Sequence, residues 1–298
     1  MTRKFLFAIL VVLLITNITT IAVWQWDRSD IVAPADDLNV PVDTKEPVAT
    51  IDNEEITYQQ WTSNLQNTYG KKLLKAMIDR QVVDRLSEQE GIEINDKVID
   101  REVSLLYTIQ GILTNEEAST LEENWRADIS HRIRLEELLT KDIQIDESEI
   151  KSYYEQYKEN YDLPESIQIS DILVNNMETA NKVISELESG AAFASLAREY
   201  SEDIDTRNQG GYKGYYNSPG EYYDLAQAME EETYSEPFDT NEGIAIIYVH
   251  RKLPAISLNY DELRNHLKRE LALEQLDQVV SADLLWENYD IKWMYGNN

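Results

Sequence analysis

Residues 166–174 read SIQISDILV and residues 243–249 read GIAIIYV. Both are short apolar runs rich in β-branched side chains, and both predict buried strands. Between them the period changes. Ala180, Val183, Ile184 and Leu187 recur at helical spacing up to Gly190, and Phe193, Leu196, Ala197 and Tyr200 mark a second, shorter helix. The turn-forming stretch Gly210-Gly211-Tyr212-Lys213-Gly214 follows, then a short helix around Leu225 to Met229. An opening strand, helices and a closing strand within about 90 residues make a compact α+β unit.

Both flanks of this unit are helical. Leu74, Met77, Ile78, Val82, Val83 and Leu86 predict a helix from Lys71 that Gly91 ends, and Asp96 opens another carrying Val98, Ile99, Val103, Leu106 and Tyr107. Two more run over about 116–140 and 146–157. After Pro254, Leu263, Leu267, Leu271, Leu276, Val279, Val280 and Leu284 predict one long helix, and Tyr289–Trp293 has the character of a strand. Upstream, Val48, Thr50 and Ile51 flank the turn pair Asp52-Asn53, with Ile56 beyond it, so a small hairpin precedes a helix that Thr57 caps. Helices on both sides of an α+β unit predict that the flanks pack together and that the unit is inserted between them.

The N-terminus carries Arg3 and Lys4 and then the uncharged run 5–24, FLFAILVVLLITNITTIAVW. Its roughly 20 residues match a hydrocarbon core about 30 Å thick. The positive flank lies first, which keeps it cytoplasmic and sends the remaining chain across; Trp24 and Trp26 suit the far interface. A signal peptide cleaved near Ala33-Pro34-Ala35 is the alternative. Either way, most of the chain is expected outside the cytoplasm. Residues 27–47 are polar and broken by Pro34, Pro41 and Pro47, the pattern of a tether.

Composition excludes several classes. The chain has 27 Lys+Arg against 56 Asp+Glu, a formal net charge of -29, and no basic cluster that could hold nucleic acid. It has no cysteine, hence no disulfide, thiolate metal site or lipid-bearing cysteine, and its three histidines, His131, His250 and His266, are scattered. Neither a metal nor a cofactor is expected. The glycine stretch lacks the Lys-Ser/Thr of a phosphate loop, and Glu230-Glu231-Glu232 lacks the spaced ligands of a calcium loop.

The stretch from Ser166 to about Leu253 resembles a parvulin domain. The matching pieces are SDILV, AAFASLAREYSED, GGYKGYY, SEPFDT and EGIAIIYV, in that order. VATIDNEEITYQQW, with the helices after it and the C-terminal helix and strand, looks like the chaperone portion of PrsA-like and SurA-like foldases. The resemblance implies an α+β architecture with an N-terminal transmembrane helix, a mainly helical chaperone lobe built from N- and C-terminal segments, and an inserted parvulin-like domain. In residue ranges these are a cytoplasmic tip and anchor, 1–26; a tether, 27–47; the first part of the lobe, 48–164; the parvulin-like domain, 165–253; and the segment completing the lobe, 254–298.

The activity implied is cis/trans isomerisation of X-Pro bonds, a slow step in folding. Parvulins hold two histidines in the floor of the site beside an Asp or Cys. Carried onto this chain, the first histidine position is Asp171, the second is Ala245, and the Asp/Cys position is Asp203. The pocket leucine becomes Lys213, the aromatic after Gly214 is Tyr216, and Thr240 stands ahead of the closing strand. The Met and Phe of the pocket helix fall near Tyr222 or Tyr223 and Leu225, with Met229 beyond. His250 lies past the closing strand as read here. Asp171 in a buried floor must be neutral, solvated or paired, and an Asp171–Lys213 ion pair would fill the groove where proline sits.

Two functions are therefore expected as alternatives: a membrane-tethered chaperone for unfolded or exported polypeptides whose parvulin-type domain has lost its histidines, or an active peptidyl-prolyl isomerase acting on the same polypeptides. Tyr153, Tyr154, Tyr157 and Tyr161 either line a surface for unfolded chains or pack between helices. The helical lobe also offers a surface for a homodimer.

Overall fold

The computed structural model describes residues 43–277 and 279–297. The apolar run 5–24 and most of the tether lie outside the described residues; among those described, no helix is long and apolar enough to cross a membrane. The described residues fall into two compact units, one up to Lys71 and one from Lys72 onward. In the first, β1 (Pro47–Ile51) and β2 (Glu54–Thr57) pair antiparallel about a turn in which Asp52 takes φ 53°. Thr57 caps α1 (Tyr58–Leu65): its side chain accepts from the backbone N–H of Gln60, whose side chain accepts from the N–H of Thr57.

The second unit contains the predicted helices: α2 (Lys71–Glu90), α3 (Asp96–Thr108), α4 (Asn115–Thr140), α5 (Glu147–Tyr157) and, far along the chain, α9 (Tyr260–Glu274). Thr114 with Glu117 and Asn259 with Glu262 form capping boxes that begin α4 and α9. Leu263, Leu267 and Leu271 of α9 share a core with Val98, Val103, Trp125, Ile129, Ile133 and Ile150, so segments from both ends of the chain bury one apolar interior. Tyr161 is buried in that core and Tyr153, Tyr154 and Tyr157 pack against it, which assigns these rings to helix packing.

The C-terminal helix is shorter than its period predicts. It ends at Glu274, and the apolar positions beyond lie in a turn and in a 3-10 segment, Ala282–Asn288. Val279 and Val280 are poor helix formers. The turn lets Leu285 and Trp286 reach Val82, Val83 and Leu86 of α2, where Trp286 Nε1 donates to Asp79 Oδ1 at 2.7 Å. The expected terminal strand shrinks to β8 (Lys292–Trp293), paired with β9 (Gly296–Asn297).

Between α5 and α9 lie β3 (Ser166–Val174), α6 (Met177–Glu188), α7 (Phe193–Tyr200), β4 (Tyr212–Tyr216), α8 (Glu221–Gln227), β5 (Thr233–Tyr234), β6 (Phe238–Thr240) and β7 (Gly243–Leu253). The strands form an antiparallel sheet ordered β4-β3-β7-β5, with β6 also on β7. Every residue of β3 is buried. One face, with Ile172, Val174 and Ile246, packs under α6 and α7; the other, with Ile167, Ile169, Ile247 and Val249, packs under α8.

Two register shifts break the ladder, one between β3 and β7 at Gln168/Ile169 and one between β3 and β4 at Ile169/Ser170. Each is a bulge that turns side chains away from simple alternation. The first corrects the position of His250: it lies inside β7, which continues to Leu253, with Nε2 at 2.8 Å from Ser170 Oγ on the α6–α7 face. Burial pulls its ring from the usual 6.5 to about 4. The folded value lies below the unfolded one, so stability is lost as pH falls from about 6.5 to about 4. Urea titrations across this window should show that slope in the native chain and a shallower one in His250→Gln.

Gly211 sits where the start of β4 meets β3. Its φ is +80°, and a Cβ there would lie 2.0 Å from the backbone oxygen of Asp171. Gly214, at φ +87°, has open space around its Cβ. Gly214→Ala should therefore cost only the left-handed backbone penalty, about 1–2 kcal/mol. Gly211→Ala should cost more than about 3 kcal/mol because backbone must move. Equilibrium unfolding in urea measures both.

Candidate active site

The site lies on the α8 face of the sheet. Asp171 and Leu173 of β3 oppose Ile247 and Ala245 of β7, and Phe238 of β6 pairs with Ala245. The bulge in β4 falls at Lys213: Tyr212 pairs with Ser170 and Gly214 with Ile169, leaving Lys213 as the extra residue. Its ammonium turns into the site, 2.7 Å from Asp203 Oδ2 and 3.5 Å from Asp171 Oδ2. The expected Asp171–Lys213 pair is thus a trio in which Asp203 is the nearer partner.

Burial separates the two acids. Asp171 is 0% exposed; its Oδ2 accepts from the Tyr222 hydroxyl at 3.0 Å, and its Oδ1 has no partner. Burial raises its pKa, against the pull of the Lys213 charge and the Tyr222 hydrogen bond. For Asp203, burial also pushes upward, but Lys213, the Thr206 hydroxyl at 2.8 Å and the Asp205 N–H at 2.9 Å all donate to the carboxylate and hold it at about 2. Burial lowers the Lys213 ammonium, yet the two carboxylates keep it above its ordinary value. Asp203–Lys213 is therefore the charged pair, and Asp171 is the acid driven toward its neutral form.

Aromatic rings wall the trio. Tyr216 stacks on Tyr222 at 5.9 Å between centroids, Phe238 meets Tyr222 edge-on at 5.8 Å, and Lys213 Nζ stands 6.0 Å from the Tyr222 ring centre. Leu225 and Met229 pack with them against Ile167, Ile169 and Ala226; α8 begins at Glu221 and ends before Met229, earlier on both counts than the apolar spacing predicts. Of the two candidate tyrosines, Tyr222 reaches Asp171, whereas the Tyr223 hydroxyl reaches Glu165 at 3.3 Å. Thr240 closes the β6–β7 turn, accepting from the Glu242 N–H and donating to Gly243 O. Sequence reasoning missed Phe238 and Thr206. Phe238 stands inside the quoted segment SEPFDT, where an aromatic before a closing strand was the available signal; Thr206 had none. Among the described residues, no cluster of three His, Asp or Glu is placed to hold a metal.

The family model for the PPIC-type PPIase domain matches residues 145–265. The YacD protein of Bacillus subtilis, whose name places it among the peptidyl-prolyl cis-trans isomerases, is 34% identical over 84% of this chain and 86% of its own length. The foldase protein PrsA of Geobacillus kaustophilus is 29% identical over 80% of this chain and 82% of its own. A crystal structure of PrsA from Bacillus subtilis aligns at 22% identity and a TM-score of 0.30, covering 85% of this chain and 96% of that one. The chain belongs to the parvulin-type peptidyl-prolyl cis-trans isomerase family that includes these PrsA-like foldases.

Replacing Lys213 tests the charge arrangement. In Lys213→Met, Asp203 should titrate nearer the ordinary 3.8 than its native value of about 2, followed by carboxyl-carbon NMR. Because the native value is depressed, the stability it contributes is full above the unfolded value and lost as pH falls through about 2. The variant should show a smaller acid-side slope in urea.

Proposed function

We propose that this chain is a membrane-tethered, extracytoplasmic folding factor for exported polypeptides whose parvulin-type groove holds proline-containing segments with little or no isomerisation. Foldase relatives spanning most of the chain support the folding role. The apolar run 5–24 with its preceding Arg3 and Lys4 supports the tether and the compartment. The observation that carries the site reading is the Lys213 ammonium between Asp203 and Asp171.

Isomerisation is accelerated by seating the proline ring in an apolar pocket, stripping water from the amide and favouring its twisted form. Here the family resemblance implies a leucine where Lys213 stands, and histidines where Asp171 and Ala245 stand. A hydrogen-bonded ammonium keeps the pocket polar, and the methyl of Ala245 offers no hydrogen bond. The rings of Tyr216, Tyr222 and Phe238 still provide an apolar surface on which a proline-containing segment lies.

One observation favours the second reading, an active isomerase. Asp171, pushed toward its neutral form by burial and bonded to Tyr222, puts a polar group in the floor that could act on the twisting amide. Isomerisation of X-Pro peptides by the purified full chain, with aggregation of an unfolded client followed in parallel, separates the two. The binder suppresses aggregation without accelerating isomerisation. Acceleration that disappears in Leu225→Ala would establish the enzyme.

A further inference from the structure

β4 is an edge strand with two allegiances. Tyr212 and Tyr215 face the helical lobe, and Lys213 and Tyr216 face the groove. The Tyr212 hydroxyl donates to the backbone oxygen of Gln110 at 3.2 Å and accepts from Gln168 Nε2 at 3.0 Å, and Gln168, 2% exposed, also donates to Gly111 O at 3.2 Å. Tyr215 packs against the core built from Val98, Trp125 and Leu263. Beside it, the Arg251 guanidinium stands 5.0 Å from the centre of the Tyr107 ring, and burial raises the Tyr215 hydroxyl.

These anchors bracket the bulge. Lys213 is the unpaired extra residue of β4, and its neighbour Gly214 takes the left-handed backbone that lets the strand kink. An edge strand with an extra residue has no ladder on its outer side to hold the kink in place. Here the lobe supplies the restraint, on the residue before the bulge and on the first paired ring beyond Gly214.

We propose that the helical lobe positions Lys213: docking of Tyr212 and Tyr215 onto α3, the 110–111 loop and the lobe core holds the β4 bulge so that the ammonium stays between Asp203 and Asp171. Tyr212, Tyr215 and Gln168 are positioning residues, acting on the groove through Lys213. Releasing β4 from the lobe frees the ammonium and opens the groove to a proline-containing peptide. That last consequence rests on the function proposed above; the positional link does not.

The test uses the full chain with Tyr212→Phe and, separately, Tyr215→Ala. Three quantities are read: hydrogen exchange at 110–112 for the lobe contact, the Nζ resonance of Lys213 together with the Asp203 titration for the trio, and the affinity for an Ala-Pro peptide for the groove. The expected result is faster exchange, an Asp203 titration raised from about 2, and peptide affinity tightened about fivefold in each variant. Trp286→Phe, remote from β4, should lower the unfolding midpoint and move none of the three. The link is overturned if exchange speeds up while the Lys213 and Asp203 signals stay put, and equally if neither variant speeds exchange, since these tyrosines then do not hold the contact. A shifted trio with unchanged peptide affinity leaves the link standing and removes the groove reading instead.

Discussion

The desolvation of Asp171 is the constraint around which the site is arranged. A carboxyl in a strand with no exposed residue has lost its water, and an ionised group there is costly unless paired. The surroundings respond in two ways. Tyr222 donates to one oxygen, and Lys213 approaches but gives its closest contact to Asp203, which lies nearer solvent and has other donors. The closer ion pair is made by the outer acid, and burial pushes the inner one toward its neutral form. Phe238, Tyr216 and the stacked Tyr222 ring make this division stable by keeping the inner side apolar.

The scaffold serves the same constraint. Asp171 is buried on the α8 face only because β3 is covered on both sides: α6 and α7 lie under Ile172 and Val174, and α8 lies under Ile167 and Ile169. The Gly211 contact then brings β4 close enough for its bulge to deliver Lys213. Lys252, at the far end of β7, caps the carbonyls of Gln227 and Met229 and so fixes the C-terminal end of α8, next to Leu225.

Much of this was legible in residue order. Helical periods placed α2 to α6, and the two β-branched runs placed β3 and β7, because burial on one face or on both leaves a repeat in the chain. The meeting of Asp171, Asp203 and Lys213 was legible in part: the family motif put all three near one groove, but which acid the lysine prefers depends on a bulge, and a single extra residue in an edge strand leaves no period to read. The same kind of shift hid the true end of β7 and therefore the place of His250. The early end of α9 was masked because Leu276, Val279, Val280 and Leu284 continue a helical spacing although two of them disfavour the helix, and tertiary contact of Trp286 with α2 decided the matter.

The joint core of the helical lobe has a consequence in time. Val98 and Leu271 pack in one interior, yet the whole α+β segment lies between them in the chain. A polypeptide that becomes available from its N-terminus onward presents α2 to α5 first, and their apolar faces wait for α9. The residues between them have their own sheet and two apolar clusters, complete by Leu253, that take no residue from α9. That sheet brings Ser166 and Leu253 side by side, which shortens the loop that α9 must close. The middle of the chain thereby serves as the clasp for its ends.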